Sequence, residues 1–163
     1  GDIFVINEKK DRVTRLDSTF AILGHSGSYN HYNNDSKKNA KYKNPYGIAL
    51  DQDDPTDEFF YAANQRRQNS RFGHGFGRSF ISKVCTGITI TAQCPRLGKL
   101  VATGVRERRN MTGIAVQGNF VYSIGTQEFL YKLNKSDLST VRSRNIGGSI
   151  DQFDNVRIIT RKS

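Results

Sequence analysis

Two stretches of this sequence run through the same order of residue types, and this repetition restricts the fold more than any other feature. Residues 44–51 (NPYGIALD) are followed at 57–62 by DEFFYA, and residues 110–117 (NMTGIAVQ) are followed at 118–123 by GNFVYS. Self-similarity of this kind is typical of repeat architectures, in which each unit packs on its neighbours. We therefore expect stacked copies of one small unit.

The beginning of the chain fits the second half of the same template. Residues 1–7 (GDIFVIN) match its second segment, and residues 12–17 (RVTRLD) follow as a third strand. A corresponding third strand, 128–134 (EFLYKLN), follows the last copy. Each unit is predicted to be an antiparallel meander, in which a glycine lets the first strand approach a neighbour and the second strand is buried.

The rest of the sequence also favours strands over helices. No run of ten or more residues has apolar side chains at helical spacing, and none approaches the ~20 residues that span a bilayer. With 36% hydrophobic residues in 163 and a mean hydropathy of −0.61, we predict one all-β, loop-rich domain over residues 1–163. The predicted strands are 3–6, 12–16, 46–50, 59–62, 87–92, 113–116, 120–124 and 156–160.

The template resembles the repeat of NHL-type β-propellers and of the related six-bladed propellers of the strictosidine synthase and gluconolactonase-like group. The similarity is carried by Pro-x-Gly-Ile-Ala-x-Asp at 45–51, Gly-Asn-Phe-Val-Tyr at 118–122 and Arg-Val-x-x-Leu-Asp at 12–17. The resemblance covers about 1–24, 44–64 and 110–134 and implies about three propeller-type repeats. It also implies a basic face that can bind RNA, as some propellers of this group do.

The copies are farther apart than propeller blades usually are. Asp57 lies 55 residues after Asp2, and Asn119 lies 62 residues after Asp57, against about 40–50 residues for one blade. We therefore expect loop insertions at about 24–43 and 65–109, where function is usually carried.

Three repeats are too few to close a ring, because propellers close with about 4–8 blades. We expect an incomplete ring or one that another chain completes, and the opening on Gly1 rather than Met suggests a processed or excised chain. Residues 154–160 can supply the first strand that the first repeat lacks. Alternatively, residues 80–105 form a degenerate fourth blade, or the repetition is accidental and the fold is another small barrel or sandwich.

Positive charge is concentrated in one part of the chain. The net charge is +10, and residues 64–109 contain ten basic residues and one acidic residue, Glu107. Arginine, glycine and aromatic residues alternate there, which suits a phosphate or sulfate polymer because guanidinium groups pair with oxyanions and rings stack. The alternative is a solvated basic loop. The predicted polyanion-binding residues are Arg66, Arg67, Arg71, Phe72, His74, Phe76, Arg78, Arg106, Arg108 and Arg109.

Two further features bear on the compartment. Eight residues separate Cys85 from Cys94, which excludes a CxxC motif but allows either a disulfide across a hairpin or two buried thiols. Asn34, Asn110 and Asn134 each begin a glycosylation sequon. Together these features favour a secreted protein, while the compartment stays open.

The sequence contains no recognisable metal or catalytic motif. His25, His31 and His74 are too loosely spaced for a zinc site, and the acidic stretch 51–58 has a proline where a calcium loop needs glycine, so we expect a tight turn. Neither a Gly-x-Ser-x-Gly elbow nor a phosphate loop is present. We expect no metal, no cofactor and no catalytic residues.

The sequence therefore predicts a non-enzymatic interaction module that binds nucleic acid or an acidic or sulfated glycan through basic insertions. Two alternatives remain. One is a structural subunit whose propeller is completed by another protein chain or a second copy. The other is a small basic ribonuclease-like enzyme that uses His31 or His74 as general acid or base.

Overall fold

The computed structural model describes residues 1–27, 42, 45–51, 54–65, 79–107, 111–125 and 129–147. Within these ranges the protein consists of eleven β-strands and one short 3-10 helix, Glu8–Lys10, and has no α-helix. The strands form three antiparallel sheets. The all-β prediction is confirmed.

Each sheet is a meander, because strands that are consecutive in the chain are also neighbours in the sheet. The first sheet contains β1 (Ile3–Asn7), β2 (Arg12–Leu16) and β3 (Ile22–Gly27). The second sheet contains β4 (Pro45–Leu50), β5 (Phe59–Asn64), β6 (Ser79–Cys85) and β7 (Leu100–Glu107). The third sheet contains β8 (Met111–Gln117), β9 (Phe120–Gly125), β10 (Phe129–Asn134) and β11 (Thr140–Asn145).

The repeated template corresponds to the first strands of the second and third sheets. The first copy forms β4 and β5, and the second copy forms β8, β9 and β10. The beginning of the chain forms β1 and β2, which pair from Ile3 with Leu16 to Asn7 with Arg12. The repetition therefore reflects a repeated sheet rather than chance.

The segments expected as loop insertions contain strands. Residues 65–109 contribute β6 and β7, which complete the second sheet instead of forming a separate fourth blade over 80–105. Residues 24–27 of the other expected insertion belong to β3, and β11 follows the template in the same way. The strand pattern in the sequence of β11 is weak because all six of its residues are exposed, so burial imposes no alternation of apolar and polar side chains.

The strand predicted at 87–92 is absent. In its place is an irregular loop whose threonines bond to the turn before β5. Thr89 Oγ1 donates to the carbonyl oxygen of Thr56, and Thr91 Oγ1 donates to the Glu58 carboxylate. β-branched threonines favour a strand, but here their hydroxyl groups bond to the turn instead of the segment pairing with a neighbouring strand.

Strand β5 contributes to both hydrophobic cores, and all six of its residues are buried. Phe59, Tyr61 and Ala63 belong to the core between the second and third sheets. Phe60 and Ala62 belong to the core that includes Val13 of the first sheet. Because successive side chains of a strand point to opposite faces, the continuous apolar run of β5 indicates a sheet that is covered on both faces.

The glycine predicted to permit close approach does so at Gly47 in β4. A Cβ atom at this position would lie 2.9 Å from the carbonyl oxygen of Thr112 in β8. Such a contact is shorter than side chains tolerate, so the first strands of the second and third sheets pack with almost no space between their backbones. This packing brings the sheets together around their first strands.

Candidate functional site

Most of the predicted polyanion-binding residues fall outside the part of the chain that the structure describes. Arg106 lies in β7, and its backbone alone is described. The other members of the predicted set are outside the described residues: Arg66, Arg67, Arg71, Phe72, His74, Phe76, Arg78, Arg108 and Arg109.

The strand register nevertheless defines where the flanking strands end. Asn64, the last residue of β5, pairs with both Pro45 and Phe80. Ser79, the first residue of β6, pairs with Glu107, the last residue of β7. These strand ends therefore lie side by side at one end of the second sheet, which we call the basic end. The opposite end, at Leu50, Phe59, Cys85 and Leu100, is called the cavity end.

Three basic residues of the segment 64–109 do not lie at the basic end. Lys83 lies in β6 and its side chain is buried. Arg96 and Lys99 follow the irregular loop after β6, and Lys99 N donates to the carbonyl oxygen of Arg96 in a turn before β7. The basic segment of the sequence therefore does not form a single surface.

A cavity of about 460 Å³ lies at the cavity end, between the second and third sheets. Its floor is made of buried side chains, and its mouth of exposed residues such as Pro55, Asn119 and Ser136. The volume is within the range of about 300–1,000 Å³ typical of small-molecule sites. The residues that line the floor and walls are Asp51, Asp54, Phe59, Tyr61, Lys83, Asn134 and Lys135.

Asp51 is the most deeply buried acid of the cavity, with 2% of its side chain exposed. Its Oδ2 forms an ion pair with Lys135 Nζ at 2.9 Å, and the Lys135 side chain is 24% exposed. Its Oδ1 is also buried and has no hydrogen-bond partner among the described residues. An ionised carboxylate in this position is therefore only partly compensated.

Lys83 reaches across from the second sheet to the turn between β10 and β11. Its Nζ donates to the carbonyl oxygens of Lys135 at 3.1 Å and Ser136 at 3.4 Å and lies 4.1 Å from the centre of the Phe59 ring. Burial lowers the pKa of Lys83, and the nearby carboxylates, Glu58 foremost, oppose this shift.

Tyr61 contributes its hydroxyl group to the same turn. The hydroxyl donates to the carbonyl oxygen of Lys135 at 3.4 Å. Burial, together with the negative charges of Asp51 and Asp54, raises the pKa of Tyr61. Its phenol is therefore neutral throughout the physiological range and acts as a hydrogen-bond donor.

The acidic stretch 51–58 forms the predicted tight turn in its described part. Asp54 N donates to the Asp51 carbonyl oxygen, and Asp57 N donates to the Asp54 carbonyl oxygen, each at 3.2 Å. Burial would raise the pKa of Asp54, but hydrogen bonds from Thr56 and from the backbone N–H of Glu58, together with the charge of Lys135, outweigh it and lower the pKa. Among the described residues, no group of three or more His, Cys, Asp or Glu side chains is arranged to hold a metal ion.

The other predicted site residues are distributed over the molecule. Cys85, the last residue of β6, is bonded to Cys94, with 5.4 Å between their Cα atoms. His25 Nδ1 lies 3.0 Å from Thr14 Oγ1, and His31 is outside the described residues, as are the sequon residues Asn34 and Asn110. Asn134 lines the cavity, and its Nδ2 donates to Ser139 Oγ.

Sequence reasoning missed the cavity because its members are remote in the chain. Asp51, Lys83 and Lys135 lie in three different segments and meet only when the second and third sheets pack together. One signal was available: Lys83 lies between the apolar pairs Phe80–Ile81 and Val84–Cys85 of β6. A lysine among buried strand residues usually has a specific partner.

Solved structures with a similar fold are known. BamB from Moraxella catarrhalis matches with a TM-score of 0.56, 9% identity and coverage of 90% of this chain and 33% of that chain. U3-55K matches with a TM-score of 0.57 and 14% identity, and the match covers 92% of this chain and 37% of that chain. The WD40 repeats of RRP9 match with a TM-score of 0.55 and 15% identity, and the match covers 92% of this chain and 36% of that chain. All are β-propellers. This chain has a β-propeller fold.

The propeller assignment concerns the fold alone. The chain spans about a third of the length of the structures it matches, which agrees with an incomplete propeller of three sheets. No family model matches the sequence, and no curated protein does. The propeller-type repeats predicted from the sequence are confirmed in general. In the described part of the chain, no helix is long and apolar enough to cross a membrane.

Proposed function

We propose that this propeller chain is a non-enzymatic interaction module that binds an anionic polymer at the basic end of its second sheet. The observation that carries the proposal is the register of β5, β6 and β7. It aligns the ends of the strands that flank residues 66–78 and 108–110. Six of the predicted binding arginines belong to these two segments, which contain no Asp or Glu.

The chemistry of these arginines suits nucleic acid or a sulfated or acidic glycan. Guanidinium groups form paired hydrogen bonds with phosphate and sulfate, and they stay charged at all physiological pH values. Binding to such polymers releases counterions and therefore weakens steeply as salt is added. This salt dependence distinguishes the proposed binding from contacts made through buried apolar surface.

Removal of two of these arginines tests the proposal. Arg66→Gln/Arg67→Gln is expected to weaken binding to a labelled single-stranded RNA and to heparin, and to reduce the slope of log K against log salt by about 1.4 for RNA. The matched control is Arg96→Gln/Lys99→Gln, which removes two positive charges of the same segment away from the basic end. Fluorescence anisotropy at several salt concentrations measures both. Equal weakening by the two double variants would contradict a site at the basic end.

The same samples distinguish binding from ribonuclease activity. A binding module leaves the RNA intact over hours of incubation. If the RNA is cleaved, and the cleavage is lost in His74→Ala or in His31→Ala, the binding-module proposal is wrong and the ribonuclease-like alternative is supported.

A second candidate function is assembly through an apolar patch on the first sheet. Phe4 and Ile6 pack against the core of the second sheet, whereas Val5 between them faces the other side and is 47% exposed. Phe20, Ile22 and Leu23, at the turn into β3 and in β3 itself, are 73%, 62% and 51% exposed. These four exposed apolar residues belong to the first sheet or to the turn before β3, and a contiguous apolar patch on a protein surface marks an interaction site. A second copy of this chain, stacking sheet on sheet, is the proposed occupant.

The mass of the chain in solution tests this assembly. A dimer or larger species that persists in high salt is expected by light scattering, because sheet stacking buries apolar surface and is insensitive to screening. Ile22→Asp is expected to give a monomer, whereas Ile90→Asp, at an isoleucine that is 64% exposed in the loop after β6, leaves the assembly intact. A wild-type monomer in both low and high salt would exclude this candidate.

The proposal has three finer parts. The repeats are assigned to the NHL type on Pro45, Gly47 and Asp51. Residues 1–163 are taken as a single domain. An extracellular location is supported by the pairing of Cys85 with Cys94 and by the sequons.

A further inference from the structure

The cavity is lined by two acidic and two basic side chains. Asp51 and Asp54 line it together with Lys83 and Lys135. The lining therefore holds two carboxylates and two ammonium groups, and Asp51 Oδ1 is the buried acceptor among them that has no donor in the described part of the chain, which favours a ligand with N–H donors.

Asp51 gives the cavity its unsatisfied acceptor. A carboxylate can accept about four hydrogen bonds, yet this buried one holds only the Lys135 ammonium among the described residues. Solvent does not reach Oδ1, so a ligand gains access to the carboxylate only if Lys135 moves away. Lys135 can do so, because its side chain is flexible and partly exposed.

The aromatic side chains suit the same class of ligand. The Phe59 ring already carries an ammonium group, that of Lys83, on its face. Tyr61 lies on the same strand, and its hydroxyl group can accept a hydrogen bond while it donates to the carbonyl oxygen of Lys135. With the Phe59 face already occupied by Lys83, the cavity offers a ligand carboxylates and a phenol oxygen, which accept hydrogen bonds from ammonium and guanidinium ions.

We propose that this cavity binds an organic cation with N–H donors, of the kind that a lysine or arginine side chain presents, and that the cation displaces Lys135 from Asp51. The site is at the opposite end of the second sheet from the proposed polyanion site and is independent of it. Lys135 is the internal competitor, and Asp51 and Asp54 provide the charge that attracts the ligand.

Small probes test the chemistry of the site. In nuclear magnetic resonance titrations of the full chain, propylguanidinium is expected to shift the backbone amides of Asn119, Lys135 and Ser136. Propionate and 1-propanol, which lack the cationic donors, leave these signals unchanged. No shift with propylguanidinium, or equal shifts with 1-propanol, would overturn the proposal. An acetylated Gly-Arg-Gly amide that binds more tightly than propylguanidinium identifies a polypeptide as the source of the cation, and equal affinity identifies a free amine or guanidine.

Two substitutions at the ion pair are expected to act in opposite directions. Asp51→Asn removes the acceptor and lowers the affinity for propylguanidinium about tenfold, while Lys135→Met removes the competitor and raises it about tenfold. Asp54→Asn provides a second acidic variant if Asp51→Asn unfolds, and Glu8→Gln, an exposed acid outside the cavity, is the control. Affinity that falls in both Asp54→Asn and Lys135→Met, or that changes in neither, contradicts the proposed site.

Discussion

Phe60→Ala is expected to lower the free energy of unfolding by about 3–5 kcal/mol, as is usual for truncation of a fully buried aromatic residue. Phe60 lies on β5 with none of its surface exposed. Its ring centre is 5.5 Å from that of Phe4 and 6.4 Å from that of Tyr42. The substitution therefore leaves a cavity where the first sheet packs on the second, and urea denaturation followed by circular dichroism measures the loss.

The control for this prediction is Ile90→Ala. It truncates a side chain that is 64% exposed and lies outside the apolar patch of the first sheet, so the expected change is below about 0.5 kcal/mol. A loss under about 1 kcal/mol for Phe60→Ala would show that the first sheet is not held through this core. Equal losses in the two variants would have the same meaning.

Removal of the bond between Cys85 and Cys94 has the second largest expected effect. The double variant Cys85→Ala/Cys94→Ala should lose about 2–4 kcal/mol, because the bond restricts the unfolded chain and both residues are fully buried in the native core. The loop it closes also contacts the first sheet, since an Arg15 guanidinium N–H donates to the carbonyl oxygen of Gly87. Loosening the loop is therefore expected to weaken the contact between the first and second sheets as well.

Reducing agent supplies the internal control. Dithiothreitol should destabilise the wild-type protein under denaturing titration and leave the double variant unchanged. Two titratable thiols in the denatured, unreduced wild-type protein would contradict the bond and favour the alternative of free buried cysteines.

Burial explains part of what the sequence predicted correctly. β5 and β9 carry apolar and aromatic residues because neighbouring sheets cover them, and burial selects such residues wherever it occurs. β3 and β11 escaped prediction because they lie at sheet edges and are largely exposed. β6 and β7 escaped it for another reason, because their segment departs from the repeated template and was expected to be a loop insertion, although β6 is almost wholly buried. The 87–92 segment was predicted wrongly, because its threonines bond to the turn at 56–58 rather than to a neighbouring strand.

The local order of residues determined the all-β class, the repeated meander and the tight acidic turn, because strand period, turn chemistry and burial act over a few neighbouring residues. The tertiary structure alone decided which basic residues of the segment 64–109 are buried and where the strands of this segment end. It put Lys83 into the core beside Phe59 and ended β5 and β7 together at the basic end. It also created the cavity, since the contact of Asp51 with Lys135 depends on packing between two sheets. Such contacts join residues far apart in the chain, and no local pattern encodes them.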